Sequence, residues 1–262
     1  MQGNTAKKRA LATLATLVLT AGVSSAAPKD VGLVLMHGKW SNPGATMGMV
    51  AHAAERDGHM VENIEMPWSG RRDYDKDYTE AMAEIDAAVT RLKAKGAGKI
   101  VIGGHSFGAN AALAYGSSRE GVAGVMLLAP GHSPDRQQGF FAASVEKARA
   151  MIADGKGDQM AKFEDSNQGR TKTIDMRARI YLSYFDPTGL GAMSVTAPKI
   201  KPGTAMFLAI GDKDPWFRMA RSVIFSKAPA DPRSRYVELA SNHFDTPKDA
   251  LPDVLAWLKT FQ

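Results

Sequence analysis

The sequence contains no cysteine. No disulfide can brace the fold, and no thiolate can act as nucleophile or metal ligand. Stability has to come from the buried core. Also missing is an apolar run of the roughly 20 residues that cross a bilayer. No basic stripe is interleaved with aromatics; basic residues are scattered among acids, as in "RRDYDKDYTE". A nucleic-acid partner is therefore not expected. No histidine and carboxylate cluster has ligand spacing, so neither a metal nor a cofactor is expected. Internal repeats and low-complexity tracts are absent after the first thirty residues.

What remains is the composition of a globular protein. The chain has 262 residues, 44% hydrophobic and 23% charged, enough for one large domain or two small ones. Its first residues, "MQGNTAKKRALATLATLVLTAGVSSAAPKD", have a different character. Lys7, Lys8 and Arg9 precede an apolar stretch from Ala10 to Val23, and Ser24 and Ala26 have the spacing that a signal peptidase needs. This is the layout of a secretory signal peptide over residues 1–26. No cysteine follows the apolar stretch, which excludes a lipid-anchored lipoprotein. The expected product is an exported protein, periplasmic or extracellular, with no stable membrane anchor. The formal net charge is +6. Three of the basic residues lie in the leader, and residues 27–262 carry a smaller positive charge. Oligomeric state leaves no signal in the sequence.

Beyond the leader, apolar strand-like runs alternate with helical patterns. "VGLVLM" is short, branched and apolar on both faces, as a buried parallel strand requires. "MVENIEM", "KIVIGG", "VAGVMLLAP", "TAMFLAIG" and "RYVELA" bring the number of expected strands to six. Between the first two, Asn42, Pro43 and Gly58 are placed to cap, begin and end a helix. In "DYTEAMAEIDAAVTRLKAKG", Tyr78, Met82, Ile85, Val89 and Leu92 lie on one helical face. Asp77 and Glu80 there form a capping-box variant. The last helix contains Pro252, at its start or at a kink. Such alternation predicts an α/β fold: a mostly parallel six-stranded sheet flanked by helices. One segment, residues 131–202, breaks the rhythm. It is too long for a bare loop and shows a helical face at Phe141, Val145, Ala148 and Ile152. It reads as a small helical cap insertion, with a polar stretch but no clear strand.

Ser106 lies in "KIVIGGHSFGAN", where Gly104, Ser106 and Gly108 form Gly-x-Ser-x-Gly. A buried strand precedes it and a small-residue helix, "ANAALAYG", follows. That context forces a sharp turn and thrusts the hydroxyl out at the C-terminal end of the sheet. A serine hydroxyl needs a base. Of six histidines, His243 in "ELASNHFDTP" follows the last strand and so lies at the same sheet edge. His37 and His105 sit inside motifs that give them structural work. His52 and His59 lie in and after the first helix, and His132 ends a strand. The base in turn needs a carboxylate. "AIGDKDPWF" offers Asp214 and Asp212. Asp214 is preferred because the first residues leaving the strand turn away. Asp212 is the fallback and Asp135 a weaker alternative. Either aspartate of the pair also suits the cap of a helix near Pro215. For the oxyanion, the Phe107 N–H opens a helix whose dipole helps. The second donor is expected from "MHGKWSNPG", at Lys39, with Trp40 as second choice.

Taken together, "MHGKW", "GHSFGAN", "GDKD" and "SNHF" resemble the α/β-hydrolase superfamily in order and position. The resemblance covers nearly all of the chain beyond the leader. It implies an eight-stranded fold with a Ser-His-Asp site. "VGLVLM" resembles the third strand of that family, so a compact six-stranded form without the first two is expected.

The implied chemistry is hydrolysis of a carboxylic ester by Ser106, Asp214 and His243 through an acyl-enzyme, with a small-molecule ester as the partner. A serine at the elbow argues against dehalogenase or epoxide hydrolase chemistry. A peptidase, amidase or thioesterase with the same triad, and a binding protein that has lost catalysis, are the alternatives. Trp40, Phe107, His132, Phe140 and Tyr184 are candidates to line the pocket, with Trp68, Arg71 and Arg72 at its rim.

Overall fold

A computed structural model describes Met1 and residues 30–262 of the chain. Apart from Met1, the expected leader and its cleavage site lie outside the described residues. The architecture is a six-stranded sheet in the order β2-β1-β3-β4-β7-β8. The strands are β1 (Val31–Met36), β2 (Met60–Ile64), β3 (Lys99–His105), β4 (Gly124–Leu128), β7 (Ala205–Gly211) and β8 (Arg235–Leu239). Every neighbouring pair in this sheet is parallel. All six expected strands are present, and the fold is of the expected class.

The inner strands β1, β3, β4 and β7 are buried on both faces and accordingly apolar or small on both. Val34, Met36, Ile102 and Leu127 point into one core, with α2 (Tyr78–Ala94) and α3 (Phe107–Ser118). Val31, Leu33, Leu35, Val101 and Phe207 point into the other, under α1 (Thr46–Arg56) and α9 (Leu251–Leu258). This is the period-two alternation of a strand, with both sets apolar.

Local signals place most helices. At the start of α2, Asp77 accepts from the Glu80 N–H at 2.9 Å and Glu80 accepts from the Asp77 N–H at 2.8 Å. Tyr78, Met82, Ile85, Val89 and Leu92 form its buried face. Pro252 falls in the first turn of α9, behind the short α8 (Thr246–Asp249), and begins a helix rather than kinking one. Helix α1 departs from expectation. It starts at Thr46, because Asn42 and Pro43 are used in a turn in which the Ala45 N–H donates to the Asn42 carbonyl at 3.2 Å.

The segment between β4 and β7 contains more than helices. It begins with α4 (Gln138–Ala153), where Phe141, Val145 and Ala148 are buried as expected and Ile152 stays exposed. An antiparallel hairpin follows, β5 (Met160–Asn167) and β6 (Arg170–Arg177), then α5 (Ala178–Phe185) and the single-turn α6 (Met193–Thr196). The expectation of no strand here is therefore corrected. Phe163 and Asp165 of β5, with Ile174 and Met176 of β6, point inward. The inward row is short and includes a charge, so its alternation is masked. Gln168 and Gly169 turn the hairpin with φ of 50° and 76°, the left-handed pair that suits a two-residue loop. No helix among the described residues is long and apolar enough to cross a membrane.

Candidate active site

Ser106 stands between β3 and α3 with φ 55° and ψ −113°. A non-glycine residue holds such angles only where its surroundings over-determine them. Here the surroundings are the two motif glycines. A Cβ on Gly104 would collide with the Gly108 backbone, and one on Gly108 with the Met36 carbonyl oxygen. Their absence lets α3 start directly against β3 and β1. The Ser106 N–H donates to the Leu128 carbonyl at 3.0 Å, and the Gly131 N–H donates to the Ser106 carbonyl at 3.1 Å. The serine is thus stitched to β4 and to the loop that follows it.

His243 and Asp214 meet at the same edge. His243 Nδ1 donates to Asp214 Oδ2 at 2.6 Å, and both residues are buried. Asp212 is not the partner; its Oδ1 accepts from the Ser241 N–H at 3.2 Å. Asp214 also caps the turn ahead of α7 (Phe217–Met219), since Oδ1 accepts from the Trp216 N–H at 2.8 Å. One carboxylate therefore does both jobs considered for the aspartate pair. Asp135 is engaged with Ser133 and Ser194. Gly131 separates nucleophile and histidine: a Cβ there would lie 2.8 Å from Ser106 Oγ and 3.6 Å from His243 Cε1. Ser106 and His243 make no direct hydrogen bond; nucleophile–base bonds of this kind tighten in the substrate complex.

The loop after β1 passes over the serine. A Cβ on Gly38 would sit 3.2 Å from Ser106 Cβ. The Trp40 N–H donates to the Trp68 carbonyl at 2.9 Å. That bond removes Trp40 as an oxyanion donor and leaves Lys39 as the candidate from this loop. Phe107, first in α3, has an N–H with no carbonyl a turn earlier in the helix.

Three buried histidines frame the site without joining it. His105 Nε2 donates to the His243 carbonyl at 2.9 Å, and its Nδ1 faces the Thr46 hydroxyl at 3.2 Å. Burial, then the nearby His243, push its pKa down to about 3. His37 Nδ1 donates to the Gly38 carbonyl, and Nε2 accepts from the Met66 N–H at 3.0 Å. Burial lowers its pKa. The imidazole is neutral and organises the loop, as its motif position suggested. His132 stacks on Phe107 at 4.0 Å between ring centroids, and Nε2 donates to the Tyr184 carbonyl at 2.9 Å. Burial holds its pKa well below the usual histidine value.

The pocket candidates are corrected in part. Trp68 is fully buried, stacked on Phe107 at 4.6 Å, and donates from Nε1 to the His37 carbonyl. It buttresses Phe107 from beneath and does not stand at a rim. Tyr184 is equally buried, and His132 serves as the packing partner described above. Trp40 and Phe140 retain exposure. Arg72 is bound to Glu84 and Asp75, and Arg71 to Glu65.

Sequence reasoning missed Asn110 and Asp165. Asn110 Nδ2 donates to the carbonyls of His132 at 2.6 Å and Gly191 at 2.7 Å, tying α3 to the loop after β4 and to the insertion. Its position in "SFGAN", facing inward on a buried helix, was the available signal. Asp165 had none: its partners Lys39, Trp40 and Tyr74 lie about a hundred residues away in sequence.

Known proteins place this geometry. A profile described as "Alpha/beta hydrolase family" matches residues 33–257. No curated protein sequence matches the chain. Among solved structures, a monoacylglycerol lipase from Paleococcus ferrophilus superposes with a TM-score of 0.65 at 18% identity, over 90% of this chain and 96% of that one. A thermostable carboxyl esterase from Bacillus coagulans gives 0.61 at 13% identity, over 89% of each chain. Est1E from Butyrivibrio proteoclasticus, with ferulic acid bound, gives 0.54 at 18% identity, over 88% and 87%. At these identities the likeness speaks for the fold. The profile match spans most of the sequence, and the chain belongs to the alpha/beta hydrolase family.

Proposed function

We propose that this protein is an exported serine hydrolase that cleaves carboxylic esters of small molecules. One observation carries the reading. A serine held at φ 55° on a strand-to-helix turn shares one sheet edge with a histidine whose Nδ1 is bound to a buried carboxylate at 2.6 Å. Strain of that kind at a polar residue points to function. The lipase and esterase names among proteins of the same fold agree with ester chemistry.

In this reading Ser106 Oγ attacks the acyl carbon while His243 Nε2 takes its proton. Asp214 holds the Nδ1–H tautomer and stabilises the imidazolium. The carbonyl oxygen becomes an oxyanion and accepts from the N–H groups of Phe107 and Lys39. The C–O bond to the leaving group breaks, and the His243 proton passes to the departing alkoxide, giving the alcohol and an acyl-enzyme. Water then gives a proton to His243 and attacks the acyl carbon. Release of the acid returns the proton to Ser106. No cofactor takes part. Residues 27–262 form the working chain, and residues 131–202 form a cap over the edge. Export rests on the leader pattern of residues 1–26.

The test is hydrolysis of p-nitrophenyl esters from acetate to palmitate by residues 27–262 and by the Ser106→Ala variant. Hydrolysis lost in the variant supports the reading, and the chain-length profile sizes the acyl site. Equal rates in both proteins, or none in either, would overturn it.

A further inference from the structure

A buried polar knot joins the cap to the loop that passes over Ser106. Asp165 is fully buried on the inward row of β5. Its Oδ1 accepts from Lys39 Nζ at 2.5 Å, and its Oδ2 accepts from Trp40 Nε1 at 3.2 Å and the Tyr74 hydroxyl at 2.9 Å. Lys39 Nζ also donates to the Ser166 carbonyl at 3.0 Å. The Lys39 carbonyl accepts from Asn167 Nδ2 at 3.2 Å. The tip of the hairpin therefore grips Lys39 at both its ammonium and its backbone.

A buried ion pair is a costly way to attach a hairpin. Apolar packing would hold it with no charge taken from water. Burial pulls the Lys39 ammonium below the usual lysine range, and Asp165 acts against that shift. What an ion pair adds is direction, because hydrogen bonds fix a position more narrowly than contact does. Direction matters at Lys39. Its peptide adjoins Gly38, where an added Cβ would lie 3.2 Å from Ser106 Cβ. Oxyanion donors act only when held to about 0.5 Å.

We infer that Asp165 is a positioning residue for ester hydrolysis: from the cap it fixes Lys39, and with it the Lys39 N–H that faces the oxyanion. The inference rests on the proposed serine-hydrolase reading. Asp165 touches no reacting atom. The cap, in this view, completes the oxyanion site as well as covering it.

The test compares the wild type, Asp165→Asn and the double variant Lys39→Met/Asp165→Asn, with Ser106→Ala as the blank. Three quantities are read: kcat and KM for p-nitrophenyl butyrate, inhibition by phenylboronic acid, and Tm. The boronic acid adds Ser106 Oγ to boron and sets an oxygen in the oxyanion site, so it reports that site without a leaving group. The expected result is a kcat at least ten-fold lower with KM changed less than two-fold. Boronate affinity should weaken by the same factor as kcat. The double variant leaves no unpaired buried charge, so it melts near the wild type yet keeps the low kcat. If Asp165→Asn does not fold, the double variant decides by the same readings. A folded variant with wild-type kcat, or one whose boronate affinity is unchanged while kcat falls, overturns the inference. A wild type without Ser106-dependent hydrolysis sinks the esterase reading itself, and the inference with it.

Discussion

Asp214 at the sheet edge and Asp165 in the hairpin are both buried carboxylates bound to a basic side chain. Their settings differ. Asp214 and its histidine follow neighbouring strands, β7 and β8, so the sheet itself brings them together. Asp165 reaches Lys39 across 126 residues of sequence, through a hairpin outside the sheet. The edge is built by close apolar packing and missing Cβ atoms, and leaves little freedom. The cap is oriented by a few polar bonds. The difference teaches that the sheet topology alone brings Asp214 to His243, while the hairpin reaches Lys39 only through polar side-chain bonds.

The largest effect should come from the edge. Ser106→Ala is expected to lower kcat by about 10⁶ and Asp214→Asn by about 10⁴, with Tm nearly unchanged for the first. Steady-state rates and thermal melts on the same samples check this. Rates within ten-fold of wild type would dissolve the distinction between edge and cap.

Next in size is the knot. Asp165→Ala strands the Lys39 ammonium in the interior, a loss of about 3–5 kcal/mol. Set against a typical total of about 5–15 kcal/mol, that is a large share, and chemical denaturation measures it. A loss below 1 kcal/mol would mean that the cap is held by packing alone.

A glycine pair sharpens the contrast further. Gly108→Ala drives a methyl into the Met36 carbonyl and should cost about 3 kcal/mol. Gly139, in α4 of the cap, has open space around it. Gly139→Ala should be stabilising by about 0.4–1 kcal/mol. Denaturant midpoints of the two variants should move in opposite directions.

The most gradual effect is pH dependence. The folded His105 has a pKa of about 3 against an ordinary 6.5. Between these values the unfolded chain binds a proton that the folded one refuses. Stability is therefore full above pH 6.5 and falls as pH drops towards 3, by about 1.4 kcal/mol per unit from this group. His105→Gln should flatten the slope of stability against pH across that window. An unchanged slope would remove His105 from the account.

Much of the edge was legible because its signals are local. Gly-x-Ser-x-Gly after a branched strand, and Asp214 and His243 after later strands, each need only a few residues of context plus the rule that parallel strands end together. Asp77 and Glu80 announced α2 in the same way. The reason that Trp40 drops out beside Lys39 was not legible, because it depends on the Trp68 carbonyl, which only the folded chain brings to the Trp40 N–H. Trp68 and Tyr184 read as pocket aromatics because composition does not separate a wall from a buttress. The hairpin was hidden by Asp165 itself: a carboxylate on the inward row breaks the apolar alternation that marks a strand.

The central claim is that Ser106 is the nucleophile. The most direct measurement is labelling of residues 27–262 with a fluorophosphonate, read by intact mass and peptide mapping. The account predicts one adduct per chain on Ser106, absent from Ser106→Ala and strongly slowed in His243→Gln. An unlabelled protein, or an adduct on another residue, would contradict it.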